Sequence, residues 1–356
     1  MPTFIPGLKL SELFYQEAVE PILAAHFPEL QYSAALLGVG SDVLEFDDEM
    51  STDHDWGPRL VLVLREREHE ALHAPIWEAL SRNLPRIFRG CRTNFSRHDP
   101  FAAGSINHHV EIRTLASLLP GDVDPDNNGE IAPVEWLSFS QQSLCELTSG
   151  VVYRDDVGLQ ALRDQFRFYP HDVWLYLLVA SWKRIGQEQH LMGRAGFAGD
   201  ELGSAIIGSR LVREIMRLGF WMEKQYAPYP KWFGTAFRRL ACGPALLPLL
   251  EGAQMAATWH EREQHLCAAY ERLVAMHDAL GITEPLSFPC IPFHVRPFRI
   301  IDTEVIINAL RRSITDKEVQ RIADLWARLG NIDQMSDSPD LLMGYNGSSK
   351  LHRLWE

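Results

Sequence analysis

The sequence has no apolar run long enough to cross a bilayer. Its longest, Val173 to Ala180, falls well short of the roughly 20 residues that a spanning helix needs. Met1 to Leu10 shows no basic stretch leading into an apolar one, so neither a secretory signal nor a membrane partner is expected. Cysteine is sparse: Cys91, Cys145, Cys242, Cys267 and Cys290 are far apart and form no CxxC pair. That excludes a disulfide framework or a zinc knuckle and suits the reducing cytoplasm. Also missing are GxSxG, the P-loop and the GxGxxG dinucleotide fingerprint, so hydrolase, Walker-type and Rossmann chemistry lack support. Basic residues are outnumbered by acidic ones, 34 to 47, for a net charge of −13. Such a surface repels phosphate backbones and makes nucleic acid a poor partner.

What is present reads as a core-forming chain. The apolar fraction is 46% with ten tryptophans, enough to bury large packing surfaces. The 356 residues suit two domains better than one. Residues 11–26 carry helical periodicity, with Ser11 as N-cap and a kink at Pro21. Residues 31–37 and 60–64 read as buried strands, 66–89 as a helix interrupted at Pro75, and 106–116 as a further strand feeding a short helix. From about residue 135 helical periodicity takes over, at 136–148, 159–167, 171–193, 201–226, 253–280 and 315–330. The proline-rich stretch 284–300 is expected to be extended. Strand, helix and strand in this order indicate an α/β or α+β unit over 1–130, followed by a mainly α-helical domain over 131–356.

The segment 38–59, GVGSDVLEFDDEMSTDHDWGPR, carries the chemistry. Seven of the fourteen residues from Asp42 to Asp55 are carboxylates and none is Lys or Arg, so the cluster repels itself unless something cationic sits in it. A solvated acidic loop is the plain reading. The sharper one starts from Asp53 and Asp55. On a strand, alternate residues point the same way, which would set two hard oxygen ligands for Mg²⁺ side by side. Upstream, Gly40 allows backbone to approach a phosphate, and the hydroxyl and N–H of Ser41 can hold it.

Gly40-Ser41 after one strand, then Asp53-x-Asp55 beside another, resembles the signature of the DNA polymerase beta-like nucleotidyltransferase superfamily. The whole of 38–59, with the later WFGTAFRRL, is similar to an uncharacterised bacterial branch of it. In that branch glycine tends to stand where this chain has Glu45. The resemblance implies an α+β fold, a catalytic domain of mixed sheet with helices over 1–130, closed over by the mainly α-helical one. It implies Gly40 and Ser41 on the triphosphate, and Asp53 and Asp55 on Mg²⁺ or Mn²⁺. It also implies a third carboxylate from a later strand, for which Glu111 is best placed, as metal ligand or general base. The activity implied is transfer of a nucleoside monophosphate, AMP from ATP or the equivalent from another triphosphate, to a hydroxyl on an acceptor. Residues 150–172 resemble the link into the helical domain of antibiotic adenylyltransferases, which points to a small-molecule acceptor. Lys231 is a candidate to reach the triphosphate. Other readings on the same fold are a non-catalytic nucleotide-binding or interaction protein, and nucleotidylation of a protein or tRNA. An oligomer in which one helical domain completes another subunit's site is compatible with all of them.

Three other features are read as structural. His69-Glu-Ala-Leu-His73 matches the HExxH zinc pattern, but no third ligand follows. Residues 124–135 match an EF-hand loop at Asp124, Asp126, Asn128, Gly129, Ile131 and Glu135. There is no second such loop, however, and Pro133 suits the first turn of a helix better. Asp200-Glu201 reads as acidic complement to a helix N-terminus.

Overall fold

The computed structural model describes residues 4–53, 56–95, 106–121, 131–286, 288–343 and 348–355. The chain divides into two compact units, 1–128 with 143–167, and 129–142 with 168–356.

The first unit is built on a four-stranded mixed sheet in the order β5-β2-β1-β6. Its strands are β1 (Ser33–Leu36), β2 (Arg59–Leu64), β5 (His109–Thr114) and β6 (Val151–Asp155). Between β2 and β5 a two-residue hairpin intervenes, β3 (Ile87–Phe88) with β4 (Cys91–Arg92). β1 runs antiparallel to both β2 and β6, whereas β5 runs parallel to β2. β1 and β2 are apolar on both faces because both faces are covered. Leu60, Leu62, Leu64, Val110 and Ile112 point into the larger cluster with Leu10, Phe14, Ile76 and Leu80. Those four come from α1 (Gly7–Phe14) and α3 (Glu66–Asn83). Ala35, Val61 and Val63 point the other way, onto Leu159, at the start of α6 (Leu159–Gln165).

Two sequence expectations change here. The first helix starts at Gly7, and Ser11 lies within it, donating its hydroxyl to the Arg59 carbonyl at 2.7 Å. The helix passes through a π-helical stretch, Tyr15–Val19, into α2 (Glu20–His26), which takes Pro21 in its first turn where no N–H is missed. The boundary expected at 130/131 is crossed three times, because β6 returns to the sheet after a helical excursion. Its first three residues, Val151-Val152-Tyr153, are strand formers, but the strand is short and exposed or half-buried throughout.

Gly150 makes that return possible. It sits at φ +74, and a Cβ there would lie 2.0 Å from the carbonyl oxygen of Leu36. Backbone cannot yield as a flexible side chain can. Gly150→Ala is therefore expected to cost about 2 kcal/mol, measurable as a lowered urea midpoint at unchanged m-value.

The second unit is helical. α4 (Pro133–Ser138) and the start of α5 (Gln141–Thr148) lead in. After α6 come α7 (His171–Phe197), α8 (Glu201–Met222), α9 (Pro230–Arg239), α10 (Gly243–Met255), α11 (Trp259–Ala279), α12 (Thr303–Ser313) and α13 (Lys317–Trp326). α7 packs along α8 and α12, and α11 packs on α8 and α10. Trp182, Trp221 and Tyr270 are fully buried in this unit. In the 284–300 stretch, β7 (Ile291–Pro292) pairs with β8 (Arg299–Ile300). Among the described residues no helix is long and apolar enough to cross a membrane.

Asp333 is buried in this unit and accepts from the Gln141 N–H at 3.0 Å. Burial pushes its carboxyl up to about 6 from 3.8, against the opposing pull of the Gln141 N–H and Arg217. The folded state thus takes up this proton first. The stability linked to it is fully present below about pH 4 and is lost as pH rises through about 6. Between pH 5 and 7 the urea midpoint of Asp333→Asn is expected to fall less than that of the wild type.

Candidate functional site

Strand pairing gathers three of the sequence candidates at one end of the sheet. Ala35 pairs with Val61 antiparallel, so the loop leaving β1 at Leu36 emerges where β2 begins. Arg59 pairs with His109 parallel, so β5 also begins there. The Gly38–Ser41 loop, the acidic segment before β2 and the start of β5 therefore meet at that end.

The loop is shaped by its glycines. Gly38 has φ +93 and Gly40 φ +143, both in the region that glycine adopts without strain. A Cβ on Gly40 would fall 2.2 Å from both the Arg59 guanidinium and Asp42 Oδ1. Asp42 and Arg59 form a two-pronged ion pair, Nε to Oδ2 at 2.9 Å and Nη2 to Oδ1 at 2.8 Å. Arg59 also donates to the Val39 carbonyl. The first residue of β2 thus fastens the loop that follows β1. Ser41 is half-buried, its hydroxyl 3.4 Å from that of Ser51. Glu45, where the similar branch tends to have glycine, has φ +58, the left-handed conformation that glycine favours.

Most of the acidic segment is committed to holding its own shape. Asp47 accepts from the Gly7 N–H at 2.7 Å and from the Trp56 indole at 3.1 Å. Asp48 accepts from the N–H groups of Met50 and Ser51 and so starts a 3₁₀ turn, Glu49–Asp53. Asp53 is exposed at the end of that turn. It does not lie on a strand, which corrects the alternation expected of Asp53 and Asp55. Gly57, at φ +147, and Pro58, with no N–H to give a ladder, delay the strand until Arg59. Asp55 lies outside the described residues.

Glu111 is on β5 beside Val61, on the sheet face opposite the larger core cluster. It is exposed and pairs with Arg113 at 3.2 Å. Lys231 is in the second unit, in the first turn of α9, exposed, with its ammonium 5.0 Å from the Trp232 ring centroid. The sequence reading missed His109, which stacks on Phe95 at 3.5 Å between ring centroids and is registered with Arg59. Its only signal was its position two residues before Glu111. Neighbouring His108 is structural. Burial holds its imidazole below the usual range, and its ring accepts from the Val110 N–H.

His69 and His73 lie on α3 with rings 5.0 Å apart, His69 within 3.3 Å of the Ile112 carbonyl. Among the described residues no three His, Cys, Asp or Glu side chains are grouped to hold a metal. Residues 124–130 of the EF-hand-like stretch lie outside the described residues. Beyond them Pro133 opens α4, and Glu135 turns back to accept from the Ala132 N–H at 2.7 Å. Asp200 caps α8 by accepting from the Gly203 N–H at 2.7 Å, and Glu201 accepts from the Trp259 N–H.

Residues 136–233 match a family described as a domain of unknown function, DUF4037. The stretch runs from α4 into α9 and excludes the 38–59 segment. No curated protein matches the chain. Among solved structures it is similar to one described as a nucleotidyltransferase-like protein from Exiguobacterium sibiricum 255-15. Identity is 13%, the match covers 77% of this chain and 78% of that one, and the TM-score is 0.35. The functional reading therefore rests on this chain's own residues.

Proposed function

We propose that the protein is a Mg²⁺-dependent nucleotidyltransferase that moves a nucleoside monophosphate, AMP from ATP, to a hydroxyl of a small acceptor. The observation that carries the reading is the meeting, at one sheet end, of a glycine-shaped loop ending in Ser41, an acidic segment ending at Asp53, and the strand bearing Glu111. The Ser41 hydroxyl and its loop N–H groups would hold the β- and γ-phosphates. Arg59 would act at one remove, keeping that loop in place through Asp42 and the Val39 carbonyl. Asp53, Asp55 and Glu111 supply the hard oxygens that Mg²⁺ or Mn²⁺ takes, and the ion would neutralise charge on the triphosphate. Glu111 is alternatively the base that receives the acceptor's proton. Lys231 is proposed as a further cation for the triphosphate.

A non-catalytic nucleotide-binding protein is the second reading. It is favoured by the pairing of Glu111 with Arg113. Calorimetric titration of the wild type with ATP and the other triphosphates, with and without Mg²⁺, separates the two. Saturable binding that needs Mg²⁺ is the expected result. Binding indifferent to Mg²⁺ would favour the second reading, and no binding of any triphosphate would overturn both.

A further inference from the structure

The second unit holds a cavity of about 540 Å³ that the nucleotidyl reading does not use. α8 places Arg210, Arg213 and Arg217 at spacings of three and four, hence on one face. α7 faces them with Arg184 and Glu188, and Gln334 and Asp337 complete the lining. Four arginines thus meet three carboxylates, Glu188, Glu214 and Asp337, in a chain whose overall charge is −13.

The floor is internally satisfied. Glu214 accepts from Ser181 at 2.5 Å and Gln334 at 2.6 Å, and pairs with Arg217 at 3.1 Å. Arg217 also donates to the Asp333 carbonyl. The rim is not. Arg184 donates only to the Gln334 carbonyl, at 3.4 Å, and has no ion-pair partner among the described residues. Arg213 pairs at 2.5 Å with Asp337, which is 70% exposed. Glu188 is 7% exposed; its Oε1 pairs with Arg210, but its buried Oε2 has no hydrogen-bond partner. A buried carboxylate oxygen left unmet is costly, and Glu188 is one of the residues that line a space of ligand size.

We infer that this cavity binds a small organic anion bearing a phosphate or carboxylate together with a hydrogen-bond donor. The guanidinium forks of Arg184 and Arg213 take the anionic group, and the Glu188 carboxylate takes the donor. Guanidinium matches both kinds of oxyanion with paired hydrogen bonds. The site lies wholly within the second unit and owes nothing to residues 38–59.

The test is calorimetric titration of the full chain with glycerol 3-phosphate and with malate, each an oxyanion with a hydroxyl. Arg184→Gln breaks no ion pair and Arg213→Gln frees only an exposed carboxylate, so both variants are expected to fold. At least one probe should bind saturably to the wild type and at least tenfold more weakly to each variant, with Asp53→Asn binding as the wild type does. Which probe binds separates phosphate from carboxylate. Failure of both probes to saturate by about 10 mM, or equal affinity in the arginine variants, would overturn the site. Loss of binding in Asp53→Asn would move the anion to the sheet unit and overturn it equally.

Discussion

Asp53→Asn and Asp55→Asn are each expected to lower nucleotidyl transfer at least about 100-fold while leaving the thermal transition where it is in the wild type. A carboxylate that binds Mg²⁺ contributes a full negative charge, whereas an amide of the same shape offers one neutral oxygen. The loss should therefore appear in Mg²⁺-dependent triphosphate binding as well as in turnover. The fold should be unaffected because Asp53 is exposed at the end of its 3₁₀ turn. Asp42, Asp47 and Asp48 each hold part of the segment's shape. Full transfer in both variants would sink the mechanism.

Arg59→Met is expected to destabilise the first unit by about 3 kcal/mol. Asp42 is 2% exposed, and Arg59 meets it with two hydrogen bonds while also holding the Val39 carbonyl. Removing the guanidinium leaves a buried carboxylate without its partner, which costs far more than losing a surface pair. The double variant with Asp42→Asn should recover part of the loss, since no charge is then stranded. Urea unfolding of the four proteins in this cycle measures it. Equal stability of Arg59→Met and wild type would show that the pair contributes nothing. Nucleotide binding, measured below the unfolding transition, should also weaken in Arg59→Met, because the Ser41 loop loses its anchor.

Local signals were legible where one physical cause dominates. Arg59–Leu64 is apolar throughout because both faces of β2 are covered, and it reads as a strand from sequence alone. α7 and α8 are marked by long periodic faces. Other elements hid their causes. α9 and α10 follow close on Pro228-Tyr229-Pro230 and Gly243-Pro244, residues that signal turns but here sit at helix starts. The Asp53–Asp55 alternation failed because Gly57 and Pro58 hold off the strand and Asp48 offers its neighbours a competing turn.

By itself the sequence determined which residue types stand ready: a Gly-Ser loop after a buried strand, a block of carboxylates before another, and apolar runs that mark strands early and turn mainly helical later. These follow from chain neighbours alone, through backbone freedom, charge density and side-chain period. Only the tertiary structure decided which carboxylates are spent. Asp42 on Arg59, Asp47 on Gly7 and Trp56, and Glu188 with one oxygen unmet are all settled by partners from other elements. The convergence of Arg184 with the arginines of α8 is of the same kind. Those partners are brought together by strand pairing and helix packing, and local sequence does not encode either.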